Sequence, residues 1–146
     1  YEGGYRLPCI ARWPGKIPAG RKSDAVFATI DFMSTFAKLC GFEVPDDRKI
    51  DGIDQTNLLL GKSDKGRKTF YFDRAGIRQG KWKYLKADAH FYGYAREDSR
   101  PREEELYNLE KDLEEKNNLA RKHPKILAEL RKLTESMPKD GPGGIH

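Results

Sequence analysis

Ala75-Gly76-Ile77-Arg78-Gln79-Gly80-Lys81-Trp82-Lys83-Tyr84-Leu85-Lys86 decides the reading of the chain. Gln79-Gly80-Lys81 reads as a hairpin turn, and Ala75–Arg78 and Trp82–Lys86 read as the strands it joins. On the N-terminal side, Thr69–Asp73 sets Phe70 and Phe72 against Tyr71, the period of two that a strand requires. On the other side, residues 88–103 form a long polar loop with aromatics, and Glu105–Leu109 supplies a fourth strand. His123-Pro124 then opens a helix. Proline suits the first helical position, and Ile126, Leu127, Leu130 and Leu133 give an apolar stripe. Four short strands and a helix predict a small α+β layer. The tail from about residue 138 is expected to fray.

Upstream, the texture differs. Residues 30–40 predict a helix, with Met33, Phe36, Ala37 and Cys40 at helical spacing and Phe32 and Leu39 on a second apolar edge. Thr29 or Asp31 can cap its start, and Gly41 suits the position after its end. Thr56–Gly61 predicts one helical turn closed by glycine, and residues 61–68 a linker. Residues 5–13 predict a strand, near an edge because Pro8 donates no ladder hydrogen bond. So apolar a helix needs burial on more than one side. The chain starts without Met or leader at Tyr1-Glu2-Gly3-Gly4, which reads as a point inside a longer protein. Exposed apolar surface is therefore expected around Leu7, Ile10, Trp13 and Phe36.

The 146 residues carry 28 Lys+Arg and 23 Asp+Glu, a net charge of +5. The signs are interleaved. Even the densest basic cluster, Lys62, Lys65, Arg67 and Lys68, reads as a solvated loop, so no nucleic-acid partner is assigned. No apolar run approaches the roughly 18 residues that span a bilayer, so no membrane partner is assigned either. Cys9 and Cys40 form no CxxC and no metal-ligand pattern, and are expected as two buried free thiols.

Several phrases, in order, resemble the C-terminal third of the arylsulfatase-type sulfatases. Tyr1-Glu2-Gly3-Gly4-Tyr5-Arg6-Leu7-Pro8 resembles "YEGG-x-R-x-P", and Arg12-Trp13-Pro14-Gly15 resembles "RWPG". Thr29-Ile30-Asp31-Phe32-Met33-Ser34-Thr35 resembles "T-x-D-x-x-P-T", with Ser34 in place of Pro. Asp51-Gly52-Ile53-Asp54 and Leu58-Leu59-Leu60-Gly61 match "DG-x-D" and "LL-x-G". Arg78–Lys83 matches "R-x-G-x-W-K", Glu105–Leu109 resembles "LYDL", and Asn117–Ala120 resembles "NNLA". The resemblance implies an alkaline-phosphatase-like α/β fold. Residues 1–62 would be the end of its large catalytic domain and 63–146 a C-terminal subdomain, a four-stranded antiparallel sheet with a packed helix. Gly3-Gly4 would permit φ > 0 or close backbone approach beside the cleft.

The activity implied is hydrolysis of sulfate esters, with a formylglycine nucleophile and calcium or another divalent cation on oxygen ligands. Formylglycine arises within C/S-x-P-x-R. Cys9–Trp13 and Cys40–Val44 fail that pattern, and Ser99-Arg100-Pro101-Arg102-Glu103 ends in Glu where Arg is required. Asp46, Asp47, Asp51 and Asp54 read as turn formers, not metal ligands. In the family, nucleophile and metal ligands lie upstream of "YEGG". No catalytic and no metal residue is therefore assigned here, and this chain alone is expected to be inactive without that N-terminal part.

What remains is the shaping of the substrate, a sulfated small molecule or polysaccharide. The 88–103 loop offers His90 and Arg96 as donors to sulfate or hydroxyls, with Asp73 and Arg74 at a strand end as second candidates. By family resemblance the whole protein is exported, periplasmic or extracellular. Two other readings stay open: a phosphonate or phosphate monoester hydrolase of the same superfamily, and a stand-alone basic module. The module would bind anionic polysaccharide or nucleic acid and weaken steeply with salt.

Overall fold

A computed structural model of the chain describes residues 1–72, 75–87 and 103–137. The described chain forms two compact units. One joins Tyr1–Arg6 to the chain from Thr69 onward, and the other is Leu7–Lys68.

The first unit is built on a four-stranded antiparallel meander: β1 Thr69–Phe72, β2 Gly76–Gln79, β3 Trp82–Leu85 and β4 Glu105–Asn108, in spatial order β1-β2-β3-β4. The central turn is the predicted one. Gln79 pairs with Trp82, leaving Gly80-Lys81 as a two-residue loop with Gly80 at φ +56°. A left-handed glycine first in a two-residue loop matches the twist of the strands it joins.

Alternation divides the sheet into two faces. On one, Ile77, Tyr84 and Leu106 are buried together with Ala120 and with Leu130 of α4 (Pro124–Glu135). Tyr71, Trp82, Ile126, Leu127 and Leu133 pack around them, so the predicted stripe is the helix's inner face. Tyr84 places its hydroxyl 2.7 Å from Glu104 Oε1, which also accepts from Arg131 Nε of α4 at 2.7 Å. Burial, then the Glu104 carboxylate, raises the Tyr84 pKa, so the phenol stays protonated. The outer edge of β4 is closed by the "NNLA" phrase. Asn118 Oδ1 accepts from Leu106 N at 3.1 Å, and Leu119 N donates to Leu106 O at 2.8 Å.

The opposite face receives a short helix, α1 (Glu2–Tyr5), from the start of the chain. The Tyr5 ring meets Phe72 edge-on at 4.8 Å, and the Tyr1 ring meets Tyr107 at 6.4 Å. Gly3 and Gly4 are helical, and a Cβ on either would meet nothing within 4 Å, so the expected close approach is not made by the described residues.

In the second unit, α2 (Asp31–Leu39) and α3 (Thr56–Leu59) stand where the sequence predicts helices. Both end as expected on left-handed glycines, Gly41 at φ +76° and Gly61 at φ +73°. Phe42 N donates to Ala37 O and Gly41 N to Lys38 O, and Lys62 N to Asn57 O and Gly61 N to Leu58 O, the paired bonds of a Schellman ending. The N-terminal side departs from expectation. Ile30 is the N-cap of α2 and, having no polar side-chain atom, makes no cap bond, while the Asp31 carboxylate accepts bonds from elsewhere.

The strand predicted over 5–13 is absent. Tyr5 closes α1, Trp13 begins a turn accepting from Lys16 N at 3.0 Å, and no described segment pairs with the residues between. Leu7 and Ile10 are 74% and 95% exposed, and Trp13 and Phe36 are 42% and 50% exposed, as expected for an apolar surface without cover. The cysteines follow the same logic, and their expected burial is corrected: Cys9 and Cys40 are both free and exposed. Among the described residues no helix is long and apolar enough to cross a membrane.

Candidate functional site

The four residues assigned to substrate shaping, Asp73, Arg74, His90 and Arg96, lie outside the described residues. The register nonetheless relates the chain ends that flank them. Phe72 pairs with Gly76, Gly76 with Leu85, and Leu85 with Glu105. The four strand ends from which residues 73–74 and 88–102 depart are therefore aligned at one end of the sheet.

Beside that end sits an acidic group in an unusual setting. Glu105 Oε1 accepts from the Tyr1 hydroxyl at 3.2 Å, while Oε2 is buried with no hydrogen-bond partner among the described residues. Desolvation raises the Glu105 pKa against the opposing effect of the Tyr107 and Tyr1 hydroxyls. Burial likewise raises the Tyr107 pKa, with the Glu105 charge adding to it.

The most deeply held charge of the first unit lies on the face opposite α4. The Lys83 side chain is fully buried, and Nζ lies 3.0 Å from Glu2 Oε1, 2.8 Å from Glu115 Oε1 and 4.5 Å from the centre of the Phe72 ring. Arg78 Nη1 stands 3.7 Å from Glu2 Oε2, and the Glu2 amide donates to the Glu115 carboxylate. Two cations and two carboxylates close on one another. Glu115 reaches this place from φ +55°, a conformation that costs a non-glycine residue about 1 kcal/mol or more. With no exposure, this lysine cannot meet a substrate.

The second unit has a counterpart. Asp31 is fully buried. Oδ2 accepts from Ala28 N at 3.0 Å, Gln55 Nε2 at 3.1 Å and Arg67 Nε at 3.3 Å. Oδ1 accepts from Ile53 N at 3.0 Å and from Arg67 Nη2. Desolvation pushes its pKa up, but Arg67, the two backbone amides and Gln55 outweigh it, and the carboxyl sits below its ordinary value. The "T-x-D" and "DG-x-D" phrases thus meet at one carboxylate. Arg67, expected in a solvated basic loop, is largely buried and also donates to Asp51 O at 2.8 Å. Residues 66–67 are likewise no linker, since Arg67 N donates to Val26 O at 2.9 Å and a Cβ on Gly66 would stand 2.5 Å from the same oxygen.

Two of the four aspartates of the 46–54 loop serve local structure. Asp47 pairs with Arg48, and Asp54 Oδ1 accepts from Thr56 N at 2.8 Å. Among the described residues no group of three or more His, Cys, Asp or Glu is placed to hold a metal ion, so no step through a metal is derived from them. The second unit also carries a groove of about 440 Å³ lined by Ile10, Trp13, Phe32, Phe36, Cys9 and Cys40 among others. Sequence reasoning missed Glu2, Lys83, Glu115 and Arg67 as structural centres. Lys83 stands inside a strand and Glu2 and Arg67 stand beside glycines, while Glu115, between Glu114 and Lys116, carries no such signal.

Comparison with known proteins adds a family to this geometry. The family model described as N-sulphoglucosamine sulphohydrolase, C-terminal, matches residues 1–140. An N-acetylgalactosamine-6-O-sulfatase of Bacteroides thetaiotaomicron is 36% identical over 144 residues, 94% of this chain and 28% of that protein. The N-acetylgalactosamine-6-sulfatase of Canis lupus familiaris is 44% identical over 72 residues, 49% of this chain and 14% of that protein. A solved structure from work on the metabolism of multiple glycosaminoglycans by Bacteroides thetaiotaomicron superposes with a TM-score of 0.77. It is 36% identical and covers 93% of this chain and 30% of that one. A second, in complex with its substrate D-glucosamine-2-N,6-O-disulfate, has a TM-score of 0.62 and 29% identity, over 85% of this chain and 26% of that one. The chain thus spans under a third of the relatives it matches.

Proposed function

Since the chain belongs to the family of N-sulphoglucosamine sulphohydrolase C-terminal regions, we propose that the whole protein hydrolyses sulfate esters on an aminosugar, free or within a glycosaminoglycan. The observation that carries this reading is the match along nearly the full chain to a sulfatase of N-acetylgalactosamine. A substrate of glucosamine-2-N,6-O-disulfate in a related fold supports the same chemical class. Formylglycine and a divalent cation, calcium by its preference for oxygen ligands, would supply nucleophile and electrophilic assistance from residues outside this chain. The reading carries with it an alkaline-phosphatase-like catalytic domain and export to the periplasm or the cell exterior.

The contribution of this chain is then architecture and substrate shape. Asp73 and Arg74 follow β1, and the segment holding His90 and Arg96 joins β3 to β4. The described strand ends that flank the two segments are aligned at one end of the sheet. In our reading His90 and Arg96 donate hydrogen bonds to sulfate or sugar hydroxyls, and Asp73 and Arg74 border the same ring. The test is turnover by the whole protein on 6-O-sulfated N-acetylgalactosamine, on glucosamine-2-N,6-O-disulfate and on 4-nitrophenyl phosphate. Sulfate release from a sugar is expected to dominate, and His90→Ala should lower kcat/KM on it about tenfold, the loss of one good hydrogen bond. Faster phosphate release, with no sulfate from either sugar, would make the protein a phosphoester hydrolase instead.

A further inference from the structure

We propose that Lys83 is a positioning residue for this hydrolysis, acting through Glu2 on the segment Tyr1–Tyr5. The inference rests on the function proposed above. Its ammonium is buried and, among the described residues, touches Glu2, Glu115 and the Phe72 ring, so its influence on a substrate passes through another residue. An apolar side chain at this position in β3 would pack a sheet at least as well, because a buried ion pair gains little net stability over a hydrophobic replacement. What the ammonium adds is direction: it ties the sheet to a segment 81 residues earlier in the chain.

That segment is gripped from the whole width of the sheet. β1 offers Phe72 to Tyr5, β2 offers Arg78 to Glu2, β3 offers Lys83, and β4 offers Glu105 and Tyr107 to Tyr1. Glu115 completes the grip from a left-handed backbone, holding both the Lys83 ammonium and the Glu2 amide. Immediately after Arg6 the chain leaves this unit and returns only at Thr69. The segment is therefore held by side chains, not by neighbours in sequence. The family model matched over residues 1–140 is a C-terminal one, so in its members the remainder of the protein lies ahead of this region in sequence. A sheet that grips Tyr1–Tyr5 therefore orients the part of the region nearest in sequence to that remainder. Reaction geometry is steep in distance: a misplacement of about 1 Å can cost on the order of a hundredfold in rate.

The experiment uses the whole protein and compares Lys83→Met, Glu2→Gln and the double variant with the parent. It reads kcat and KM on the sulfated sugar well below each variant's Tm. Each single change is expected to lower kcat about tenfold or more while KM stays within about twofold. The double variant should be no slower than the slower single one, because both act through one contact. Parent-like kcat in the folded single variants overturns the proposal, and so does a double variant whose losses multiply. If Lys83→Met does not fold, the nearly isosteric Glu2→Gln decides alone. Absent sulfate turnover in the parent instead removes the function reading, on which this inference depends.

Discussion

Asp31→Ala is expected to destabilise the second unit by about 3–5 kcal/mol, the range for removing one partner from a buried ion pair. The carboxylate takes every hydrogen bond it has room for: two backbone amides, one side-chain amide and both faces of the Arg67 fork. Truncation leaves the guanidinium charged with little water to solvate it, and orphans Ala28 N and Ile53 N. Each orphan costs about 1–3 kcal/mol unless water reaches it. The local readout in the whole protein is amide exchange at Ala28 and Ile53, which should accelerate with the fall in stability. Unchanged exchange at both would contradict the assignment.

The same carboxylate gives this unit a pH dependence of known sign. Its folded pKa lies below the unfolded value of about 3.9, so its contribution is fully present above the unfolded value. The contribution is lost as pH falls through the lower, folded value. Asp31→Asn should flatten this acid limb.

Gly76→Ala is expected to damage the first unit about as severely. A Cβ at Gly76 would stand 2.1 Å from Tyr84 O and 2.9 Å from Leu85 Cδ2. The first of these is backbone of the paired strand and cannot rotate away. β2 and β3 must separate just where Ile77 and Tyr84 begin the core, a cost at or above the top of the overpacking range, about 3 kcal/mol. Gly80 in the same hairpin is the internal comparison. Its Cβ would meet nothing within 4 Å, and only φ +56° opposes a side chain, about 1–2 kcal/mol. Thermal unfolding of the two alanine variants should therefore rank Gly76→Ala well below Gly80→Ala. The reverse order would mean that β2 and β3 are not paired in this register.

The parts of the fold that the sequence announces are those carried by local rules. Gly80 in its turn, Gly41 and Gly61 after their helices, and Pro124 at a helix start each follow from backbone geometry within a few residues. The contacts that hold each unit together do not. Asp31 meets Arg67 across 36 residues and Glu2 meets Lys83 across 81, and neither spacing leaves a periodic trace. Alternation puts Lys83 on the face away from α4, where a charge normally reads as solvent-facing. Here the same face is closed by α1 and Glu115, and the charge is buried among partners. The apolar run of residues 5–13 misleads in the opposite sense, since apolar alternation promises a strand only where another strand can pair with it. As for the candidate site, the sequence offers Asp73, Arg74, His90 and Arg96, which lie outside the described residues; what the structure adds is that the described strand ends flanking them are in register.

Residues 1–6 and the meander, though separated by an entire unit in sequence, should open and close together. Amide exchange in the whole protein measures this directly at Glu2 N, which donates to Glu115, and at Arg6 N, which donates to Glu2 O at 2.7 Å. Protection at both within about tenfold of the β3 amides is the expected result, the behaviour of one cooperative unit. Exchange at the rate of an unstructured peptide, with the strands still protected, would contradict it.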